Sequence, residues 1–292
     1  MILFFGGGYC TEFLVPLLEK KKIISTHSKI PYKAQYKDFE FVERYKLNVF
    51  LKQKKKYFPK LTHILISIPP NDEGDLVVKE ICDDRKILKN IKWIGYFSTT
   101  GVYGDHGGRW VKENSELKTK NRRSKNRIKA ERQYLDIFKN YGLPSHIFRL
   151  PGIYGPKRSI FERLQDPNFR YVDKKNQFFS RIHVEDIANF IFKSMQKPTP
   201  GNIFNLTDNN PCELEEILMY ACNLLKKNMP KKISLDSKLV SEMTRSFYKE
   251  NKKVSNQKIK KVLGSDFFFP TYKSGLKAIF NKYYKYQKNL LK

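Results

Sequence analysis

The chain has 292 residues, enough to bury a large core in one large domain or two closely joined ones. Its formal net charge is +28, carried by lysines spread along the whole length, with Lys52 to Lys56, Lys226, Lys227, Lys252 and Lys253 among them. Dispersed lysine that far outnumbers arginine, beside many Asn, Ile, Phe and Tyr residues with AT-rich codons, argues against a specific nucleic-acid binder.

The four cysteines, Cys10, Cys82, Cys212 and Cys222, show no paired metal spacing, so no metal site is expected. No signal-type leader and no run of about 18 apolar residues is found, and a reduced, cytoplasmic chain without membrane contact is expected.

The first element is an apolar run, Ile2 to Phe5, that reads as a buried parallel strand and enters Gly6-Gly7-Gly8. Apolar residues at helical spacing follow from Phe13, which places the glycines at a helix N-terminus suited to a phosphate. Gly6-x-Gly8-x-x-Thr11 is a dinucleotide fingerprint without its last glycine, and by itself it serves equally for an ordinary glycine turn. Thr11 should hold the helix slightly off the strand, and Pro16 should kink it.

Lys22 to Lys29 reads as a second strand ending in a polar loop. An acid there would bind a ribose 2′-hydroxyl, but His27 and Lys29 stand instead, which favours NADP while leaving NAD open. A weaker strand is expected at Phe39 to Val42 and a clear one at Thr62 to Ile68, stopped by Pro69-Pro70. A helix over Asp75 to Leu88 leads to a strand at Trp93 to Thr100. A helix over Ser124 to Lys139 and a strand at Ser145 to Leu150 complete the alternation of a parallel α/β sheet.

The second half is mixed. Arg181 to Val184 leads into a helix over Glu185 to Met195, and Asn202 to Leu206 reads as a strand. Pro211 should open a helix with an acidic first turn, and a last helix runs through Leu276, Ile279 and Phe280.

Two stretches, Ser98-Thr99-Thr100-Gly101-Val102-Tyr103-Gly104 and Arg149-Leu150-Pro151-Gly152-Ile153-Tyr154-Gly155-Pro156, resemble the extended short-chain dehydrogenase/reductases of the NAD-dependent epimerase/dehydratase group. Ser67 to Pro70, Gly108 to Glu113, Ala130-Glu131, Arg181 to Asp186, Asn202 to Asn205, Asn256 and Phe269 to Tyr272 extend the resemblance over essentially the whole chain, toward an atypical branch. It implies a Rossmann-type doubly wound sheet binding NAD(P) over residues 1–156, completed by about 180–206, with a smaller mixed α/β substrate region over 157–292. The cofactor contacts it implies are Gly6, Gly8, Tyr9, Cys10, His27, Ser67, Pro69, Arg127 and Pro151.

Members of that group use a Tyr as acid or base, a Lys four residues later, and a Ser or Thr at the substrate oxygen. Here the Ser/Thr position falls on Thr99, the Tyr position on Arg123 and the Lys position on Arg127. Arginine stays charged and is no ordinary general acid or base, although Arg127 can hold a ribose or phosphate and Arg123 an anionic substrate. Thr99, Tyr103 and Arg127 are therefore the catalytic candidates, and Thr100, Arg123, Tyr154, Arg181 and His183 the substrate-binding ones. Against these stand plainer alternatives: Arg123 as a solvated residue of the basic run, Tyr103 and Tyr154 as core tyrosines, His183 as a core histidine, and Asp186 as a first-turn helix acid.

The expected function is an oxidoreductase or epimerase on a small hydroxyl/carbonyl substrate, sugar-like or nucleotide-sugar-like. A catalytically silent NAD(P)-binding sensor or scaffold is the alternative, a polyanion binder stands third, and a homodimer is left open.

Overall fold

In the computed structural model, which describes residues 1–285 other than 19–20, 31, 35–36 and 265, the chain opens with β1 (Ile2–Phe5), α1 (Tyr9–Leu14), β2 (Ile23–His27) and β3 (Val42–Lys46). It continues through α2 (Leu47–Lys52), α3 (Lys54–Tyr57), β4 (His63–Ile66), α4 (Leu76–Asp83), β5 (Trp93–Thr99), β6 (Trp110–Val111), α5 (Arg122–Tyr141) and β7 (Ser145–Leu150). The second half adds β8 (Gly152–Tyr154), α6 (Ile160–Arg163), β9 (Arg170–Val172), β10 (Arg181–His183), α7 (Val184–Gln196) and β11 (Ile203–Asn205). Last come α8 (Leu214–Leu225), β12 (Lys231–Ile233), α9 (Glu242–Tyr248), β13 (Lys253–Val254), α10 (Gln257–Leu263) and α11 (Tyr272–Tyr283).

All four residues of β1 are buried because the strand is covered on both faces. Ile2 and Phe4 enter a core shared with α1, α7 and α10, whereas Leu3 and Phe5 enter one shared with α4 and α5. Seven parallel strands stand in the order β11-β7-β5-β4-β1-β2-β3. The chain winds outward from β1 to β3, then crosses back and winds the other way from β4, so the order reverses between β1 and β4. This is the Rossmann-type doubly wound sheet.

Local chemistry sets the element ends. Asn121 caps α5 by accepting the Arg123 and Ser124 amides, and Gly142 closes it in the left-handed conformation at φ 68°. The helix thus starts two residues before the expected Ser124. α1 lasts six residues and passes into a 3₁₀ turn over Val15–Leu18, where Pro16 interrupts it. β3 begins at Val42 instead of ending there. As the sheet's edge it pairs only with β2 and tolerates the polar run Glu43-Arg44-Tyr45-Lys46, whose lack of alternation hides it in the sequence. α8 starts at Leu214, after a Glu213–Glu216 capping box, rather than at Pro211.

A third core joins Tyr154, Phe161, Tyr171 and residues of α8 and α11. The stretch after residue 157 also returns to the sheet, because β11 extends it and Ile259, Leu263 and Phe267 pack in the α7 core. Residues 286–292 of the expected substrate region lie outside the described residues. Among the described residues no helix is long and apolar enough to cross a membrane, and no cluster of metal-ligating side chains occurs.

Candidate functional site

A cleft of about 320 Å³ opens where the strand order reverses, lined by residues that follow β1, β4, β5 and β7. Crevices at such reversals are where open α/β sheets take ligands. One wall is the glycine turn. Gly6 has φ +91°, a left-handed conformation that favours glycine, and a Cβ on Gly7 would lie 2.0 Å from the Ser25 Oγ and 2.4 Å from the His27 ring. The Gly6 amide donates to the Thr26 Oγ1 at 3.1 Å and the Gly7 amide to the Thr26 carbonyl at 2.9 Å. The turn is thereby stapled to β2.

Thr11 departs from expectation. Its hydroxyl accepts the Gly8 amide at 2.8 Å and donates to the Gly8 carbonyl at 2.7 Å. The side chain draws the helix onto the turn instead of holding it off. The amides of Tyr9 and Cys10, the first two of α1, have no intrahelical acceptor and belong to the cleft lining.

On the opposite wall, Thr99 ends β5 and accepts the Gly101 amide at 3.1 Å. Arg127 reaches across from α5, donating through Nη1 to the Phe97 carbonyl at 2.6 Å and the Tyr96 hydroxyl at 3.0 Å. A guanidinium thus lines the same cleft as Thr99. Ser67 donates to the Gly6 carbonyl and joins the lining after β4. Gly8, Tyr9, Cys10, Ser67, Thr99, Arg127 and Pro151 therefore share one cleft.

The other expected residues stand elsewhere. Gly6 forms the turn behind the lining, His27 lies buried beneath Gly7 with its ring 4.1 Å from that of Tyr32, and Pro69 is exposed outside the cleft. Thr100 is buried in the turn after β5, and Arg123 is exposed on α5. Tyr103 is fully buried; it donates to the Asn205 Oδ1 at 2.6 Å and accepts from the Arg149 Nη1 at 2.9 Å. Burial pushes its phenol up to about 12, and the ring is core structure rather than a proton donor in the cleft.

Tyr154, Arg181 and His183 belong to the β8–β10 pair. Tyr154 is buried against Gly275, and Arg181 donates to the Phe179 carbonyl at 2.9 Å. His183 caps α7 by accepting the Glu185 amide through Nδ1 at 3.3 Å, and burial lowers its pKa to about 3, so it is neutral. Asp186 is in the first turn of α7 as read from the sequence, but fully buried, where it accepts the Phe268 and Phe269 amides at 2.6 and 3.1 Å.

Two cleft residues escaped the sequence reading. Ser98 donates to the Glu131 Oε1 at 2.5 Å, and Arg158 follows the Gly155-Pro156 turn. The sole sequence signal for either is adjacency to a motif: Ser98 precedes Thr99, and Arg158 stands two residues past Pro156.

Near the β10 end, Asp208 is 1% exposed; its Oδ1 accepts the Asn210 amide at 3.1 Å while its Oδ2 is buried without a partner among the described residues. Burial pushes the carboxyl up to about 7. Because the folded pKa is raised, the stability this group allows is complete below its unfolded value near 3.8 and is lost as pH rises through about 7. Asp208→Asn should therefore be more stable than the parent at pH 8, with an advantage that shrinks by on the order of 2 kcal/mol at pH 5. Parallel urea melts at the two pH values check this, and a pH-independent difference would contradict it.

No family model matches the chain, and no curated protein does. Among solved structures, a functionally unknown conserved protein from Silicibacter pomeroyi DSS is 36% identical, with a TM-score of 0.87 over 96% of this chain and 98% of that one. The dTDP-glucose 4,6-dehydratase of Bacillus anthracis, solved with NAD, is 19% identical with a TM-score of 0.76, covering 99% of each chain. The UDP-glucuronic acid 4-epimerase of Bacillus cereus, also solved with NAD, is 16% identical with a TM-score of 0.76, covering 96% of this chain and 95% of that one. At those identities the two enzymes share its fold.

Proposed function

The chain belongs to the same family as the functionally unknown conserved protein from Silicibacter pomeroyi DSS, and from that premise we propose an NAD(P)-dependent oxidoreductase or epimerase acting on a hydroxyl or carbonyl group, with a nucleotide-sugar-like substrate. The observation that carries the proposal is the convergence of the Gly8, Tyr9 and Cys10 turn with Thr99 and Arg127 in one cleft at the strand-order reversal. The two sugar-nucleotide enzymes that share the fold, both solved with NAD, support the same cofactor class.

The residues present fit a dinucleotide. The Gly7 position leaves no room for a Cβ, so the turn packs close against β2, and the Tyr9 and Cys10 amides are free to meet a diphosphate. The lining holds two arginines and no carboxylate, which suits an anion. The segment directly after β2 carries Lys29 and no acid, which supports NADP over NAD. When bound, the nicotinamide supplies hydride exchange.

The chain's own part is orientation and electrostatics. Thr99, at the end of β5, offers its hydroxyl to the substrate oxygen while its lone pair holds Gly101. The Arg127 guanidinium, no ordinary general acid or base, stabilises negative charge developing on that oxygen. Arg123, at the usual tyrosine position, is exposed on α5 outside the cleft lining.

The test is a panel of hydroxyl and carbonyl substrates with NADP and NAD, followed by absorbance of the reduced nicotinamide. Thr99→Val should lower turnover roughly 100-fold while leaving dinucleotide affinity unchanged. A protein that binds dinucleotide and turns over no member of a broad panel would contradict the catalytic proposal.

A further inference from the structure

Arg158 occupies the same cleft, yet neither the orientation of the substrate oxygen nor the stabilisation of its charge calls on it. It is carried on a tight turn after β8, closed by the Gly155 amide donating to the Arg158 carbonyl at 3.1 Å and the Arg158 amide to the Gly155 carbonyl at 3.0 Å. Lys157 in that turn has φ 60°, a left-handed conformation uncommon for a lysine. Tyr9 tethers the turn. Its hydroxyl donates to the Pro156 carbonyl at 2.8 Å, and a Cβ on Gly155 would sit 2.6 Å from that hydroxyl. Gly155 leaves room for the tether.

The same tyrosine ring lies under the Arg158 guanidinium, 5.4 Å from its centroid. Beyond this ring the side chain has no ion pair or hydrogen bond among the described residues. The nearby acid on this segment, Glu162, is engaged by the Ser159 amide and hydroxyl and by the Tyr284 hydroxyl. A guanidinium resting on an aromatic face keeps all its N–H edges available. That planar fork matches two oxygens of a phosphate.

We propose that Arg158 grips a phosphate group of the bound ligand, with Tyr9 as the positioning residue that holds the arginine's turn. The phosphate belongs to the cofactor's diphosphate or to a nucleoside diphosphate on the substrate. The choice between these sources rests on the dinucleotide proposal, whereas the anion site itself does not.

The test uses calorimetric titration of the whole protein and of Arg158→Gln, Arg158→Lys and Tyr9→Phe with inorganic pyrophosphate, NADPH and UDP. Because Arg158 is exposed, its variants should keep the parent's melting temperature. Arg158→Gln should weaken pyrophosphate at least about tenfold, Arg158→Lys should restore only part of that loss, and Tyr9→Phe should weaken it a few-fold. A matching loss for NADPH alone assigns the cofactor's diphosphate, and a loss for UDP alone assigns the substrate's. If the parent binds pyrophosphate through Arg158 but not NADPH, nor NADH in a fourth titration, the cofactor proposal fails and the anion site stands. Equal binding of all three probes by parent and Arg158→Gln, or no binding of any by the parent, overturns the inference.

Discussion

Glu131→Ala is expected to destabilise the fold by on the order of 3–5 kcal/mol and to lower the melting temperature by roughly 10 °C. Glu131 and Arg149 form an ion pair at 2.7 Å whose side chains are 3% and 2% exposed. The Arg149 Nε donates to Oε1 at 3.0 Å, and the Ser98 hydroxyl donates to the same oxygen at 2.5 Å. The remaining Nη1 donates to the Tyr103 hydroxyl and the Glu113 carbonyl, and Tyr103 passes the chain on to Asn205. Removing the carboxylate strands a guanidinium charge beneath the cleft floor, where water cannot reach it. Removing both charges does not. Glu131→Leu with Arg149→Met should regain more than half of the loss, because a pair's desolvation cost disappears with the pair. Urea melts measure both variants. A single variant within about 1 kcal/mol of the parent would show that the pair is not the anchor described.

Gly7→Ala should reduce dinucleotide affinity at least about 100-fold. The new methyl meets the Ser25 Oγ at 2.0 Å and the His27 ring at 2.4 Å, and both residues are buried on β2. Either the buried Ser25 and His27 side chains or the glycine turn must shift, the turn being held by two bonds to Thr26 and by Ser67 on the Gly6 carbonyl. Overpacking of this kind costs about 1–3 kcal/mol, which leaves the protein folded with its turn displaced. Gly8→Ala provides the contrast. Its φ is −166°, an extended conformation open to any residue, and a Cβ there meets nothing within 4 Å. The Gly8 variant should therefore melt like the parent while its methyl crowds the cleft and weakens binding more modestly. Equal affinity in the parent and Gly7→Ala would mean that the turn is not the binding wall.

The parts of the fold buried on both faces were legible from the sequence. β1, β4 and the first five residues of β5 are near-continuous apolar runs because cores cover both sides of the sheet, whereas β7 keeps only Ile147, Phe148 and Leu150 of that pattern beside the buried polar Ser145, His146 and Arg149. The edge strand β3 carries charge and was displaced by several residues in the sequence reading. The two- and three-residue pairings β6–β13, β8–β10 and β9–β12 join segments far apart in the chain, so no local pattern announces them.

The cleft lining was legible where a motif residue ends or closely follows a strand, as with Gly8, Ser67 and Thr99. It was illegible where a polar-tipped ring is concerned. Tyr103 and His183 stand next to the same motifs, yet the Tyr103 hydroxyl is spent on Asn205 and Arg149 and the His183 Nδ1 on a helix cap. Sequence position cannot separate a ring facing the cleft from one facing the core. Thr11 illustrates the converse, since its hydroxyl bonds repair the missing third glycine in a way that no residue count reveals.

The central claim is that the cleft at the β1/β4 reversal binds a nicotinamide dinucleotide, and calorimetric titration of the parent protein and Gly7→Ala with NADPH and NADH tests it most directly. Saturable one-to-one binding by the parent, tighter for NADPH, and its loss in Gly7→Ala are the expected results. Absence of binding of either dinucleotide to the parent at about 1 mM, where a native-state ligand should register, would contradict it.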